Sequence, residues 1–414
     1  MKCISCAAGL VLGLAACHSQ SSQPPTTASP AKATAPVAAT PAATSSAGTA
    51  YAVYRGWLPG QADSITLHVV FTPRTAGATG TAAFGSYYGP DGHPYTLQGQ
   101  PSAAPDSVVL LNTSPEASAG ATTPSPSWRL RRQPGPGDLV GTVGEQAVHL
   151  RLVPPSANAL TFAVRYFADS AAAFPQEAKS PVGHIALQAL EPVGGSAASR
   201  AALAANLVRD LRGDTLSNLP VGPLAAYYQQ QRTRFFRDYR TDAAASRPAP
   251  ADTAGIGAFG VGLSYTEQTT TYVVCQQGSL LSLGFFRYDF SGGAHGNYGT
   301  TGASYDLRTG RRLRYDDIFL PAAKTQLPAL LAQAVRPLVG LTAGEPLDQA
   351  LFVKKMPVTP NVFLTPGGVV FSYQPYEIAS YAQGEIRVFL PLPAVRALLR
   401  DGLPLPSSGS VAGR

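Results

Sequence analysis

The chain has 414 residues, enough for two domains of ordinary size once a tail is set aside. Only 13% of residues are charged, against 41 glycines and 37 prolines, a balance that favours strands and turns over long solvated helices. The net charge of +7 is scattered and no recognisable nucleic-acid module accompanies it, so nucleic acid is not an expected partner, whereas lipid head groups or wall polymers suit the charge.

Lys2 followed by the apolar run Ile4 to Leu14 has the form of a signal peptide, residues 1–16, because the run is too short to span a bilayer. It closes with Leu14-Ala15-Ala16-Cys17, which resembles the bacterial lipobox. That resemblance implies cleavage before Cys17 and acylation of the cysteine, with diacylglycerol on sulfur and a chain such as palmitate on nitrogen. Membrane lipid is then the partner, and each buried CH2 contributes about 0.8 kcal/mol to the anchor. The alternative is an ordinary secretory signal with a chance cysteine. His18 rather than Asp follows Cys17, so an Asp-type retention signal is absent and the outer membrane is expected where the organism has one, on its periplasmic or surface face. Residues 17–50 are almost all Ser, Thr, Pro, Ala and Gln and read as a disordered tether.

Residues 51–155 read as an all-β domain, a small antiparallel sheet or barrel. In the run Ile65 to Phe71, alternation puts Ile65, Leu67, Val69 and Phe71 on one face. Tyr51 to Leu58 is its hairpin partner. Phe84 to Tyr88 and Tyr95 to Leu97 flank the turn signal Gly89-Pro90-Asp91-Gly92. Val108 to Leu111 and Trp128 to Leu130 are further strands, and Leu139 to Val143 with Ala147 to Val153 form a last hairpin. A barrel raises the choice between a ligand cavity and a filled interior. His68 and His149 fall on the polar register of their strands, so both are expected at the solvent-facing surface.

Residues 160–405 read as an α+β domain, an antiparallel sheet with helices on one side. Thr161 to Tyr166 opens it as a strand. Ala197 to Leu211 and Val221 to Tyr239 are helices with apolar stripes. Val261 to Gln268, Thr269 to Gln277 and Leu280 to Phe290 read as strands. Cys275 is expected to be a buried small residue, since the four cysteines Cys3, Cys6, Cys17 and Cys275 make no disulfide framework. Ser291 to Gly299 holds four glycines around His295. Tyr305 to Leu307 leads into a turn at Arg308-Thr309-Gly310, and Asp316 to Phe319 reads as a short helical turn. Leu327 to Val339 and Leu347 to Val353 are expected helices. Asn361 to Thr365 and Val369 to Tyr373 form a hairpin, Gln374 to Gly384 an aromatic loop, Glu385 to Leu390 a strand and Pro393 to Leu399 a closing helix. Residues 406–414 are a disordered tail.

Two ordered stretches carry a resemblance. One is Tyr-x-x-x-Gly-Gly-Ala-His-Gly-Asn at Tyr288 to Asn297, continued by Tyr305-Asp306-Leu307 and Asp317-Ile318-Phe319. The other is Phe-x-Tyr-x-Pro-Tyr-Glu-Ile-Ala-x-Tyr-Ala-x-Gly at Phe371 to Gly384. Together they resemble the extracellular domain of RsiV-type anti-sigma factors, a domain that also occurs in bacterial lipoproteins and beside PdaC-type peptidoglycan deacetylases. The resemblance covers roughly Leu160 to Leu403 and not the first β region. It implies binding of a protein ligand, since in RsiV-type proteins this domain recognises lysozyme. The chain shows no transmembrane helix, no sigma-factor segment and no deacetylase domain, so signalling and wall modification are not carried over.

None of the six histidines (His18, His68, His93, His149, His184, His295) pairs with another at metal-ligand spacing, and no Gly-x-Ser-x-Gly elbow is present, so no metal, cofactor or catalysis is expected. His295, Asn297, Tyr376, Glu377 and Tyr381 are candidate residues of a ligand rim. The competing reading makes His295 a hydrogen-bonded loop residue and the Tyr376 to Tyr381 segment a core corner, because tyrosine serves both. The expected function is a lipid-anchored, non-catalytic cell-envelope protein that binds a lysozyme-like protein or a wall glycan such as peptidoglycan. An envelope hydrolase built on the His295 loop and an assembly factor are the alternatives.

Overall fold

Eight short strands with apolar residues at every second position close into an antiparallel barrel: β1 (Ala50–Trp57), β2 (Ser64–Phe71), β3 (Ala83–Tyr88), β4 (Pro94–Gln100), β5 (Ser107–Asn112), β6 (Trp128–Arg132), β7 (Leu139–Val143) and β8 (Gln146–Leu152). Pairing of β1 with β8 closes the ring and leaves no open edge. Tyr54, Leu67, Leu97, Leu110, Trp128 and Leu150 fill the interior, so the barrel is a packed core. The computed structural model describes residues 49–73, 83–100, 106–114, 125–213, 220–246 and 262–405, all within one compact unit, Ala43–Arg414. The expected signal peptide, Cys17, all but the last residues of the tether, and the 406–414 tail lie outside the described residues.

The second part is built on a six-stranded sheet ordered β14-β13-β12-β11-β10-β9. Its elements run β9 (Thr161–Ala172), β10 (Val182–Val193), α1 (Ala197–Arg212), α2 (Leu224–Ala245), β11 (Thr266–Gln277), β12 (Leu280–Phe290), β13 (Asn297–Asp306) and β14 (Arg311–Leu313). The sheet is mixed, which corrects the expectation of a wholly antiparallel one: β10 and β11 are parallel. A parallel pair needs a long crossover, and α1 and α2 supply it. Ser196 caps α1 by accepting the N–H of Ser199, and Gly213 ends it with φ 76°. The helix is pinned from below: Tyr305 Oη donates to Asp210 Oδ2 at 2.5 Å, and Arg312 Nε lies 2.9 Å from Asp210 Oδ1.

The chain then forms α3 (Tyr315–Ile318), α4 (Ala323–Val335), β15 (Val362–Leu364), β16 (Gly368–Tyr373), β17 (Ile386–Pro391) and α5 (Leu392–Val395). Strands β15, β16 and β17 make a separate three-stranded sheet. The helices therefore do not share one side of one sheet: α1 and α2 pack on β10, α4 on β17. Of the helix expected at Leu347 to Val353, only a 3-10 turn at Leu347–Gln349 forms. The two strands expected between 261 and 277 are one, from Thr266, with a bulge between Val273 and Cys275. Cys275 is free and fully buried, and burial pushes its thiol up to about 12.

Outside the barrel, Val70 and Phe84 belong to the core of the six-stranded sheet, packed with Phe162, Tyr272 and Val274. The outward face of β2 and β3 is thus covered by protein. This overturns the expected exposure of His68, which is 2% exposed. Its ring lies between those of Tyr51 and Tyr88, and Nδ1 is 2.8 Å from Tyr51 Oη. His149 is half exposed as expected, with Nε2 2.8 Å from Asp138 Oδ2.

Burial, with Arg55 adding to it, pushes the His68 imidazole down to about 3. The folded state keeps His68 neutral while the unfolded chain protonates it near the ordinary histidine value, so stability is full above that value and falls as pH drops toward 3. Between about pH 5.5 and 4 the loss is expected at roughly 1.4 kcal/mol per pH unit. Urea unfolding across that window should show the slope in the native protein and a flattened one in His68→Phe.

Candidate functional site

The stretch Ser291 to Gly299, the loop after β12 and the first residues of β13, owes its four glycines to two different constraints. Gly292 and Gly293 have φ 91° and 93°, which side-chain-bearing residues rarely adopt. Gly296 and Gly299 are needed for close approach: a Cβ on Gly296 would stand 2.6 Å from the Tyr288 ring, and one on Gly299 only 1.6 Å from Gln374 Oε1. The bare backbone at Gly299 admits Gln374, whose Nε2 donates to Thr300 O at 2.7 Å.

Gln374 belongs to the aromatic loop, so the two motif stretches meet. Tyr381 Oη donates to Gly296 O at 2.6 Å. The His295 imidazole lies nearly parallel on the Tyr381 ring, centroids 3.9 Å apart, and its Nε2 is 3.5 Å from Tyr376 Oη. Tyr298 meets Tyr381 edge-on at 5.6 Å. Burial holds the Tyr381 and Tyr298 hydroxyls above the ordinary phenol value, so both are neutral donors at physiological pH. His295 itself is exposed, with Nδ1 3.1 Å from Gly296 O. Among the described residues, no carboxylate or nucleophilic side chain hydrogen-bonds His295. Among the same residues no group of three His, Cys, Asp or Glu is placed to hold a metal ion.

Tyr376 departs from the expected core corner. It is 57% exposed and has φ 69°. Gln374 to Glu377 is a tight turn in which Glu377 N donates to Gln374 O at 3.0 Å. Pro375 occupies the second position, and the positive φ at the third fits a type II turn, where glycine is the usual residue. A bulky ring there is strained. The Glu377 carboxylate fastens the turn by accepting Gln374 N at 2.9 Å. Within the motif, Phe371 and Tyr373 of β16 and, beyond the turn, Ile378 and Ala379 enter the core. Phe352, 64% exposed, hangs its N–H on Ile378 O at 2.8 Å and adds a second exposed ring on a neighbouring segment.

Of the residues singled out in the sequence, His295, Tyr376 and Tyr381 form one stacked group. Glu377, exposed beside that group, staples the turn that presents Tyr376. Asn297 lies at the start of β13, exposed, with Nδ2 3.4 Å from Asp289 Oδ2.

Beside the rim is a cleft of about 600 Å3 whose lining includes Thr96 and Ser114 of the barrel side, Tyr298, Gln383 and Arg387. On its floor Arg387 Nη2 is 2.8 Å from Glu385 Oε2, the side chains only 14% and 10% exposed. Glu385 also accepts from Thr300 N and, at 3.1 Å, from Thr300 Oγ1. Arg387 Nη1 donates to Thr96 Oγ1 at 2.5 Å. Sequence reasoning passed over this pair and Phe352. The signal for the pair was present: Glu385 and Arg387 alternate with the buried Ile386 and Val388, so they share the other face of β17.

With the geometry in place, residues 316–392 match a family model described as a protein of unknown function (DUF3298). This stretch is a DUF3298 domain. The match holds the Tyr376 loop and not the His295 loop. A crystal structure of a DUF3298 family member from Bacteroides fragilis NCTC 9343 is similar with TM-score 0.50 and 24% identity, over 59% of this chain and 95% of that one. A DUF3298 family protein from Pseudomonas aeruginosa PAO1 aligns with TM-score 0.41 and 20% identity, over 60% of this chain and 98% of that one. The first likeness is one of fold. No curated protein matches the chain.

The strain at Tyr376 yields a test by thermal unfolding. Tyr376→Gly is expected to stabilise the fold by about 1 kcal/mol, because glycine meets the positive φ without a Cβ clash. Glu377→Ala, which unfastens the same turn, is expected to lower the melting temperature.

Proposed function

We propose that the chain is a lipid-anchored envelope protein that binds a partner protein at the His295–Tyr376–Tyr381 rim and has no catalytic activity of its own. The observation that carries this reading is the meeting of two motif stretches, with Gly296 and Tyr381 85 residues apart in sequence, in one exposed aromatic group. Exposed tyrosine is a common anchor of protein interfaces, since it buries a large ring while keeping a hydroxyl for a hydrogen bond. Holding Tyr376 at a strained turn has no evident structural benefit, and strain of that kind gathers at functional surfaces.

The likeness of both stretches to the RsiV-type extracellular domain makes a lysozyme-like protein the first ligand to try. The surroundings of His295, two phenol rings and a backbone carbonyl, suit stacking better than proton transfer. Anchoring rests on the lipobox-like Leu14 to Cys17 in the sequence, and the envelope location follows from it.

The mature chain, immobilised by its C-terminus, is to be tested against lysozyme and against soluble peptidoglycan fragments. Lysozyme binding is expected, about tenfold weaker or worse in the well-folded Tyr376→Gly variant. Binding of the glycan fragments alone would replace the protein ligand by a sugar, and binding of neither would reject the reading. Palmitate labelling of the native protein, lost in Cys17→Ser, is the expected outcome for the anchor.

A further inference from the structure

A second cleft, of about 800 Å3, lies where the barrel meets the start of β9 and the turn after β11. Its size is that of a small-molecule site, and junctions between domains are a frequent place for one. Val53, Leu160, Pro90, Pro154 and Pro366 give it apolar walls. Its polar lining includes Arg55, His68, Tyr88 and Gln276, and among the described residues no aspartate or glutamate lines it.

The cations are the informative part. Arg132, at one end, stacks its guanidinium over the Phe71 ring at 4.0 Å. Arg55, exposed on β1, stands directly opposite Arg151 of β8 across the barrel seam, and like charges in that position repel. Among the described residues the Arg55 side chain has no hydrogen bond and no ion pair. Asp138, the carboxylate that acts on Arg151, is already committed to His149 and to the N–H of Leu152. Below, the buried His68 has no partner at Nε2. The Tyr51 hydroxyl occupies Nδ1, so Nε2 is left without a partner whichever tautomer the ring holds. Buried polar atoms without a partner are uncommon and call for a reason.

We propose that this cleft is a ligand site, separate from the aromatic rim, for a small amphiphilic anion: an apolar body bearing one carboxylate. The apolar body covers the proline and tyrosine walls, and the carboxylate supplies the counter-ion that Arg55 lacks among the described residues. The sign is particular to this place. The cleft between α2 and the β11–β12 pair, about 370 Å3, is lined instead by Asp238, Asp242, Glu267 and Asp289 along with its arginines.

Calorimetric titration of the full mature chain with decanoate tests the site, with decanol and decyltrimethylammonium as separate arms. Decanoate is expected to saturate at one per chain, decanol to bind about tenfold more weakly, and the ammonium not to compete. Arg55→Gln, a change at an exposed position, should weaken decanoate about tenfold, while Arg55→Lys keeps most of the affinity. Tyr376→Gly should leave it unchanged. Absence of decanoate binding, equal binding of decanol, an unaffected Arg55→Gln variant, or a weakened Tyr376→Gly variant would each overturn the proposal; the last would move the anion to the rim, and none of these outcomes bears on lysozyme binding.

Discussion

Thr300 is the point at which three parts of the molecule are tied together. Its N–H and hydroxyl go to Glu385, its carbonyl takes the side-chain amides of Gln374 and Asn361, and its hydroxyl also receives Arg387. One residue of β13 therefore fixes the hairpin β15–β16, the aromatic loop and strand β17. Arg387 extends the tie to Thr96 in the barrel. In a low-dielectric interior such a network is costly if any member is left without a partner, so its parts hold one another in register. The aromatic rim stands on this floor: Gln374 begins the turn that presents Tyr376, and Tyr381 is held by Gly296 in the loop that leads into β13.

The division of labour at the rim follows. Ile378 and Ala379 root the loop in the core, Glu377 fastens the turn, and Tyr376 is left to face outward in a backbone conformation that suits glycine better. Stability is given up locally at one position while the neighbours over-determine its geometry. The same logic applies across Ser291 to Gly299, where glycine is demanded twice by backbone angle and twice by contact.

How much of this was legible in the sequence depended on how local the cause was. Alternation in Ile65 to Phe71, the turn chemistry of Gly89 to Gly92 and the stripe of α1 are local, and barrel strands and helix appear where they were expected. His68 was misplaced because the alternating pattern tells which residues share a face but not what covers the other one; a β-sheet packed on the outside of the barrel buried it. The parallel β10–β11 pair escaped because pairing partners far apart leave no periodic mark, and β10 itself was not read as a strand. Tyr376 stayed open between a rim and a core corner because the motif shows a tyrosine but not its exposure or its positive φ. The Glu385–Arg387 pair was readable as a polar face on β17, but its counterparts Thr300 and Thr96 come from other strands.

The seam between β1 and β8 has a mechanical side. The chain enters the described fold at Thr49 and passes at once into β1, which is bonded to β2 along its whole length and to β8 near its end. Tension applied at Thr49 is therefore met by two ladders sharing the load, one along the whole of β1 and one near its end.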